Sequence, residues 1–235
     1  MSTSRRAAAR LAGFSLLAAA LGFLTVFTLL ALSFDYPDIL DRSAAEVLPR
    51  LLALGPTGRA TWAVYAVVPL LLVPAAAGLA ALHGGERPRV LVTFAAVSAV
   101  LAGLFMTLGL VRWPSMQWEL ARGWATASAD QRLVLGAVFD GLNTLLGRYL
   151  GEFLGELMLN LSFLSFATLA WQDRLLPRWV SGFGFVAATA GLVALWRNVT
   201  GVVAPVADLN NALLPLWLIV WSVALLRVRA PATPG

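Results

Sequence analysis

Six apolar runs, at residues 11–33, 61–82, 90–111, 152–171, 177–196 and 207–226, punctuate the chain. Each is long enough to cross a bilayer core of ~30 Å as a helix of roughly 20 residues. The first, Leu11 to Ser33, follows a short basic segment, MSTSRRAAAR. Ala31-Leu32-Ser33 loosely resembles a signal-peptide cleavage site, but the run is about twice the usual apolar core of 7–15 residues. An uncleaved first span is therefore expected. The second run, Thr61 to Leu82, carries Pro69 and Pro74, which kink a helix by removing backbone hydrogen bonds.

The intervening polar segments have patterns of their own. In FDYPDILDRSAAEVLPRLLALGPTGRA, Asp35, Asp38 and Asp41 precede an amphipathic stretch, Ala44 to Leu54, whose leucines suit a membrane surface. The acids lack the glycine and distal glutamate of a calcium loop, so they read as an acidic cap. In the third loop, Trp118 and Trp124 suit a membrane–water boundary, with a surface helix from Ala129 towards Leu146. The pattern predicts an all-α polytopic membrane bundle with six transmembrane helices and an interfacial helix in the first and third loops. It is read as one domain over 11–229, with a basic tail at 1–10 and a disordered tail at 230–235. No internal repeat suggests two transporter halves.

Composition narrows the chemistry. The chain is 60% hydrophobic and 12% charged, with a mean hydropathy of +0.81, whereas soluble domains are near half apolar and a quarter charged. All 17 basic residues are arginine and the formal net charge is +5. They form no continuous stripe, so no nucleic-acid partner is expected; the expected partner is the lipid bilayer. Cysteine is absent, which removes disulfides, thiolate nucleophiles and Cys-ligated metals. The single histidine, His83, sits at a span end and reads as interfacial. No metal or cofactor is expected. With the N-terminus inside, nine arginines and two acids fall on the cytoplasmic side, against eight arginines and ten acids outside. The inner arginines lie in short loops, where the positive-inside rule applies best. Both termini are therefore expected in the cytoplasm, in a bacterial inner membrane.

Candidate chemistry concentrates in NTLLGRYLGEFLGELMLN, residues 143–160. Arg148, Glu152, Glu156 and Asn160 follow at four-residue intervals, which places them on one face of an α-helix. Gly147, Gly151 and Gly155 make a second ridge that suits close helix approach, within the chain or between copies as a homo-oligomer. Arg112, Arg197, Asn198, Asp208 and Asn211 end or begin neighbouring spans on the same side. One reading is a polar site for a small ligand, lipid headgroup or ion, with Glu156 as key acid, Glu152 as its partner and Asn160 deepest. The other is an interhelical network, with Arg148 on Glu152 and Arg112 or Arg197 neutralising Glu156. A transporter using Glu156 as coupling site and a carboxylate- or metal-dependent intramembrane enzyme are further alternatives. No catalytic residue is assigned, because Thr107, Ser162 and Ser165 are expected far from the sole histidine.

FDYPDIL after the first span, RWP after the third, RYLGEFLGE into the fourth and LPRWVSGFGF into the fifth together resemble a bacterial six-span family catalogued as domain of unknown function 4386. The resemblance covers nearly the whole chain and implies the fold and the membrane location. It implies no activity. Members often carry a histidine after the first glutamate of GExLG; Phe153 stands there in this chain, so no role of such a histidine carries over.

Overall fold

The computed structural model describes residues 3–84 and 89–228. The tail at 230–235, Arg229 and most of the turn after His83 lie outside the described residues. Ten α-helices occur among the described residues: α1 (Thr3–Phe34), α2 (Ala44–Ala53), α3 (Gly55–Val67), α4 (Leu72–His83), α5 (Arg89–Val111), α6 (Trp118–Thr126), α7 (Ala129–Leu142), α8 (Gly155–Asp173), α9 (Arg178–Ala194) and α10 (Ala204–Leu226). They combine into six helical stretches long and apolar enough to span a membrane: Thr3–Phe34, Gly55–His83, Val90–Thr126, Ala129–Asp173, Arg178–Asn198 and Gly201–Leu226.

The breaks inside these stretches have identifiable causes. A 3-10 turn, Val68–Leu71, separates α3 from α4; Pro69 lies within it and has no N–H to give the helical ladder. The third span was expected over 90–111, before Pro114. Instead the chain widens into a π turn at Trp113–Gln117, where Gln117 N–H donates to the Arg112 carbonyl at 2.8 Å, and then continues into α6. α7 starts at a capping box: Gln131 N–H donates to Ser128 Oγ at 3.3 Å, and Ser128 N–H donates to Gln131 Oε1 at 2.8 Å. The surface helix expected to run towards Leu146 and the span expected from 152 are joined. A twelve-residue π stretch, Asn143–Leu154, connects α7 to α8 without a loop.

The spans close into a ring. α1 packs on α4, α4 on α5, α5 on α8, α8 on α9 and α9 on α10, which returns to α1. Within a bilayer, lipid tails are as apolar as side chains, so helix association rests on close packing and interhelical hydrogen bonds rather than on water exclusion. The ring is filled accordingly by flat rings: Trp217 and Trp221 stack with centroids 4.6 Å apart, and Phe163 meets Trp217 edge-on at 4.9 Å. Trp217 also donates its indole N–H to the Val180 carbonyl at 3.2 Å, tying α10 to α9.

A second core caps one end of the ring. Ile39, Val47, Leu48 and Leu51 from the first loop pack with Phe34, Trp62, Trp113, Trp118 and Phe139. Trp62 stacks on Trp113 at 4.7 Å, and Phe34 meets both edge-on. The first-loop helix is thus not a separate surface element; its apolar face covers the ends of the spans. We refer to this as the capped end, and to the opposite one as the termini end.

Candidate functional site

The charged residues of the fourth span meet the fifth at the capped end. Glu152 lies in the π stretch and Glu156 in the first turn of α8. Arg197 lies in the 3-10 turn Leu195–Asn198 that finishes the fifth stretch. Its guanidinium takes Glu156 in a fork: Nη1 donates to Oε2 at 2.8 Å and Nη2 to Oε1 at 2.6 Å. Nη2 also donates to Glu152 Oε2 at 3.3 Å. The three side chains are 29%, 18% and 31% exposed for Arg197, Glu156 and Glu152, so the cluster sits between a buried and a surface ion pair. Next to Glu152 and Arg197 in the chain, Phe153 and Trp196 meet each other edge-on at 5.5 Å.

The two arginines that could have supplied further compensation are engaged elsewhere. Arg112 is buried; its Nε and Nη2 both donate to Asn143 Oδ1, at 3.2 and 3.0 Å, and Nη1 donates to the Gly109 carbonyl. It also lies over the Trp113 ring at 5.1 Å. Asn143 in turn donates from Nδ2 to the Leu40 carbonyl at 3.2 Å, anchoring the first loop. Arg148 is exposed and pairs with Asp41 at 2.8 Å rather than with Glu152. The i,i+4 pairing expected for Arg148 and Glu152 presupposes an α-helix. In the π stretch the ladder runs i to i+5, as Gly155 N–H donating to the Leu150 carbonyl shows, so the four-residue spacing no longer stacks Arg148 over Glu152.

The glycine ridge faces the third span. A Cβ on Gly147 would meet the Arg112 guanidinium carbon at 2.8 Å. One on Gly151 would lie 3.0 Å from Gly109 Cα, and one on Gly155 2.8 Å from Met106 Cγ. These glycines therefore pack the third stretch against the π stretch and the start of α8 within the chain.

The other expected members are scattered. Asn160, one turn below Glu156, is buried; its Nδ2 donates to the Glu156 carbonyl at 2.7 Å, its amide packs on Gly191 of α9, and its Oδ1 has no hydrogen-bond partner. Asn198 donates only locally, to the Leu195 carbonyl at 3.2 Å. Asp208 and Asn211 are exposed on α10, and among the described residues the cluster's hydrogen bonds run between Arg197, Glu152 and Glu156 rather than to them. Asn210, between them, is buried instead, with an unpartnered Oδ1.

Other participants were not singled out in the sequence. The Tyr36 and Tyr65 rings meet edge-on, with centroids 6.1 Å apart, and both phenols lie within electrostatic reach of Glu152. Burial pushes the Tyr36 phenol up to about 12, and the Glu152 charge adds to the effect. At the termini end, His83 is buried, and its Nδ1 lies 2.6 Å from Asp173 Oδ2. The interfacial histidine is thus a bonded element between α4 and α8. Its sequence signal was the coincidence of HG and QDR at span ends on the same side. Among the described residues, no group of three or more His, Cys, Asp or Glu side chains is placed to hold a metal ion.

Six long apolar helices closed into a ring, with a charged cluster where two of them meet, define a multi-pass helical membrane protein. The chain belongs to the family described as Domain of unknown function (DUF4386), whose profile matches residues 11–226. Comparison with curated proteins and with solved structures found no significant match.

Proposed function

We propose that this protein binds a small cation at the Glu152–Glu156–Arg197 cluster, with the capped end facing outward from a bacterial inner membrane. The observation that carries this reading is a charge imbalance. Two carboxylates share one contacting guanidinium, and that guanidinium is committed to both oxygens of Glu156. Glu152 receives a single, longer bond on Oε2 and keeps Oε1 as a spare acceptor. Arg112 and Arg148, the next nearest positive groups, are held by Asn143 and Asp41. A half-buried carboxylate with spare acceptors favours a cation or a proton, and the tyrosine pair and Trp196 supply aromatic groups nearby.

This assigns the roles differently from the spacing argument: Glu152 is the binding acid and Glu156 its anchor. The orientation is supported by Arg5, Arg6, Arg10, Arg174, Arg178 and Arg227 near the termini end, as cytoplasmic segments are arginine-rich. A second reading, in which the cluster is only a clamp between the fourth and fifth spans, is favoured by the two-bond fork.

Thermal unfolding in neutral detergent separates the two. Sodium, potassium, ammonium and choline chlorides are titrated at constant ionic strength against N-methylglucamine chloride. The binding reading expects at least one of them to raise Tm saturably in the wild type and not in Glu152→Gln, with equal Tm for both proteins in N-methylglucamine. Identical responses of the two proteins to all four cations would leave only the clamp.

A further inference from the structure

At the termini end, a cavity of about 530 Å³ lies between the first turns of α1 and the end of α10. Arg6, Arg10 and Arg227 line it, with Ala9, Leu226 and Val228. We propose that this cavity binds the phosphate headgroup of an anionic phospholipid.

Arg6 and Arg10 are four residues apart on a helix, so they project from one face, and like charges so placed repel. Arg227 approaches from the partner helix with a third positive charge. Among the described residues none of the three has a carboxylate within ion-pair distance, unlike Arg42, Arg50, Arg59, Arg122, Arg148 and Arg197 at the capped end. Three converging guanidinium groups are stabilised by an anion between them, and the planar fork of arginine suits phosphate oxygens.

The floor of the cavity is closed one turn further along. A Cβ on Gly13 would lie 2.8 Å from Leu226 Cγ and 3.2 Å from the Ser222 carbonyl, so α1 and α10 are in close contact there. An anion entering from the aqueous side is therefore halted at the level where the apolar run begins.

The same level identifies the source of the anion. In the turn that follows Arg10, Leu11 and Phe14 are 46% and 61% exposed on the surface of α1, within the span. A headgroup held by the arginines would lay its acyl chains along this apolar surface, and basic pockets between membrane helices are known places for anionic headgroups. A free phosphate would use the arginines but not that surface.

The test is native mass spectrometry of the full chain released from neutral detergent micelles. The micelles are doped with equal amounts of phosphatidylglycerol and phosphatidylcholine. The wild type is expected to retain phosphatidylglycerol selectively. Loss of each arginine should weaken retention roughly fivefold, so R6Q/R10Q/R227Q should reduce it about a hundredfold. R42Q/R122Q/R132Q, which removes the same charge at the capped end, should retain the lipid as the wild type does. Equal retention of the two lipids by the wild type, or equal phosphatidylglycerol retention by the wild type and the termini-end variant, would overturn the proposal. So would displacement of the lipid by millimolar inorganic phosphate, which would assign the cavity to the free anion. Where the triple variant does not elute as a monodisperse protein, R6Q and R10Q singly carry the same comparison.

Discussion

Replacing Arg197 with methionine keeps an unbranched apolar stem and removes the fork that holds Glu156 and Glu152. Four hydrogen bonds are lost: two to Glu156, one to Glu152 and one, at 3.4 Å, to the Ala194 carbonyl. More consequential is what remains: two carboxylates facing each other with no contacting cation. Removing one partner of a fully buried ion pair costs about 3–5 kcal/mol, whereas exposed pairs are worth about 0–1 kcal/mol. With side chains 18–31% exposed the cluster lies between these limits, which places the cost of Arg197→Met at roughly 2–3 kcal/mol. The assay is reversible unfolding by dodecyl sulfate in mixed micelles, followed by circular dichroism and tryptophan fluorescence. Arg197→Lys, which keeps the charge without the fork, should fall between wild type and Arg197→Met. Adding Glu152→Gln to Arg197→Met should restore part of the loss by removing one uncompensated charge. The reasoning is refuted if Arg197→Met loses less than about 0.5 kcal/mol, the scale of a solvated surface pair, or if Glu152→Gln makes the Arg197→Met protein less stable still.

Further outcomes follow from the packing and the loops. Gly151→Leu should destabilise by about 1–3 kcal/mol through overpacking, because its neighbours there are Gly109 Cα and the Leu146 carbonyl, backbone atoms that cannot rotate away; dodecyl sulfate unfolding and monodispersity on gel filtration read it. Gly141→Ala, with nothing within 4 Å of the added carbon and a place inside α7, should be neutral or gain about 0.5–1 kcal/mol. His83→Phe should cost about 1 kcal/mol, because the 2.6 Å contact with Asp173 between α4 and α8 is lost; a His83→Phe protein that unfolds no more easily than wild type in dodecyl sulfate would contradict it. Tyr36 ionises near 10 when unfolded and about 12 when folded, so its contribution to stability is complete below pH 10 and gone by about pH 12. Tm measured from pH 9 to 11.5 should therefore fall more steeply for the wild type than for Tyr36→Phe, and superimposable curves would count against the burial of that phenol.

The parts of the molecule that could be read from the chain are those fixed by length and polarity. An apolar run of 20 residues has few alternatives to a spanning helix, so the six stretches and the apolar face of α2 were legible. The charge cluster was legible in membership but not in pairing. Arg197 and Glu156 are 41 positions apart and meet because α8 and α9 are antiparallel neighbours, as the short connection between them suggests. Arg148 could not be assigned to Asp41, 107 positions away, because a first-loop turn has to fold back over the fourth span to bring them together. Arg112 was placed at the right end, but its amide partner Asn143 carries no charge to advertise it. Least legible was the π stretch. Reading a face from four-residue spacing assumes the α period, and no single residue in NTLLGRYLGEFL announces the wider turn. The glycine ridge signalled a close neighbour, which proved to be α5 through Gly109, itself one residue among many small ones in that span.

The wide turns of residues 143–154 have a consequence for how the fourth span divides its attention. In an uninterrupted α-helix, the residues above and below any point keep a fixed phase, so a face that looks at one neighbour goes on looking at it. Each turn closed by an i to i+5 bond holds an extra residue and shifts that phase. Through this shift the upper part of the span presents Arg148 to Asp41 in the first loop, while the lower part presents Glu156 to Arg197 in the fifth span. Glu152 sits where the phase is changing and keeps only the longer, single bond to Arg197. One continuous helical rod thus serves two interfaces that a regular helix of the same sequence would have had to choose between.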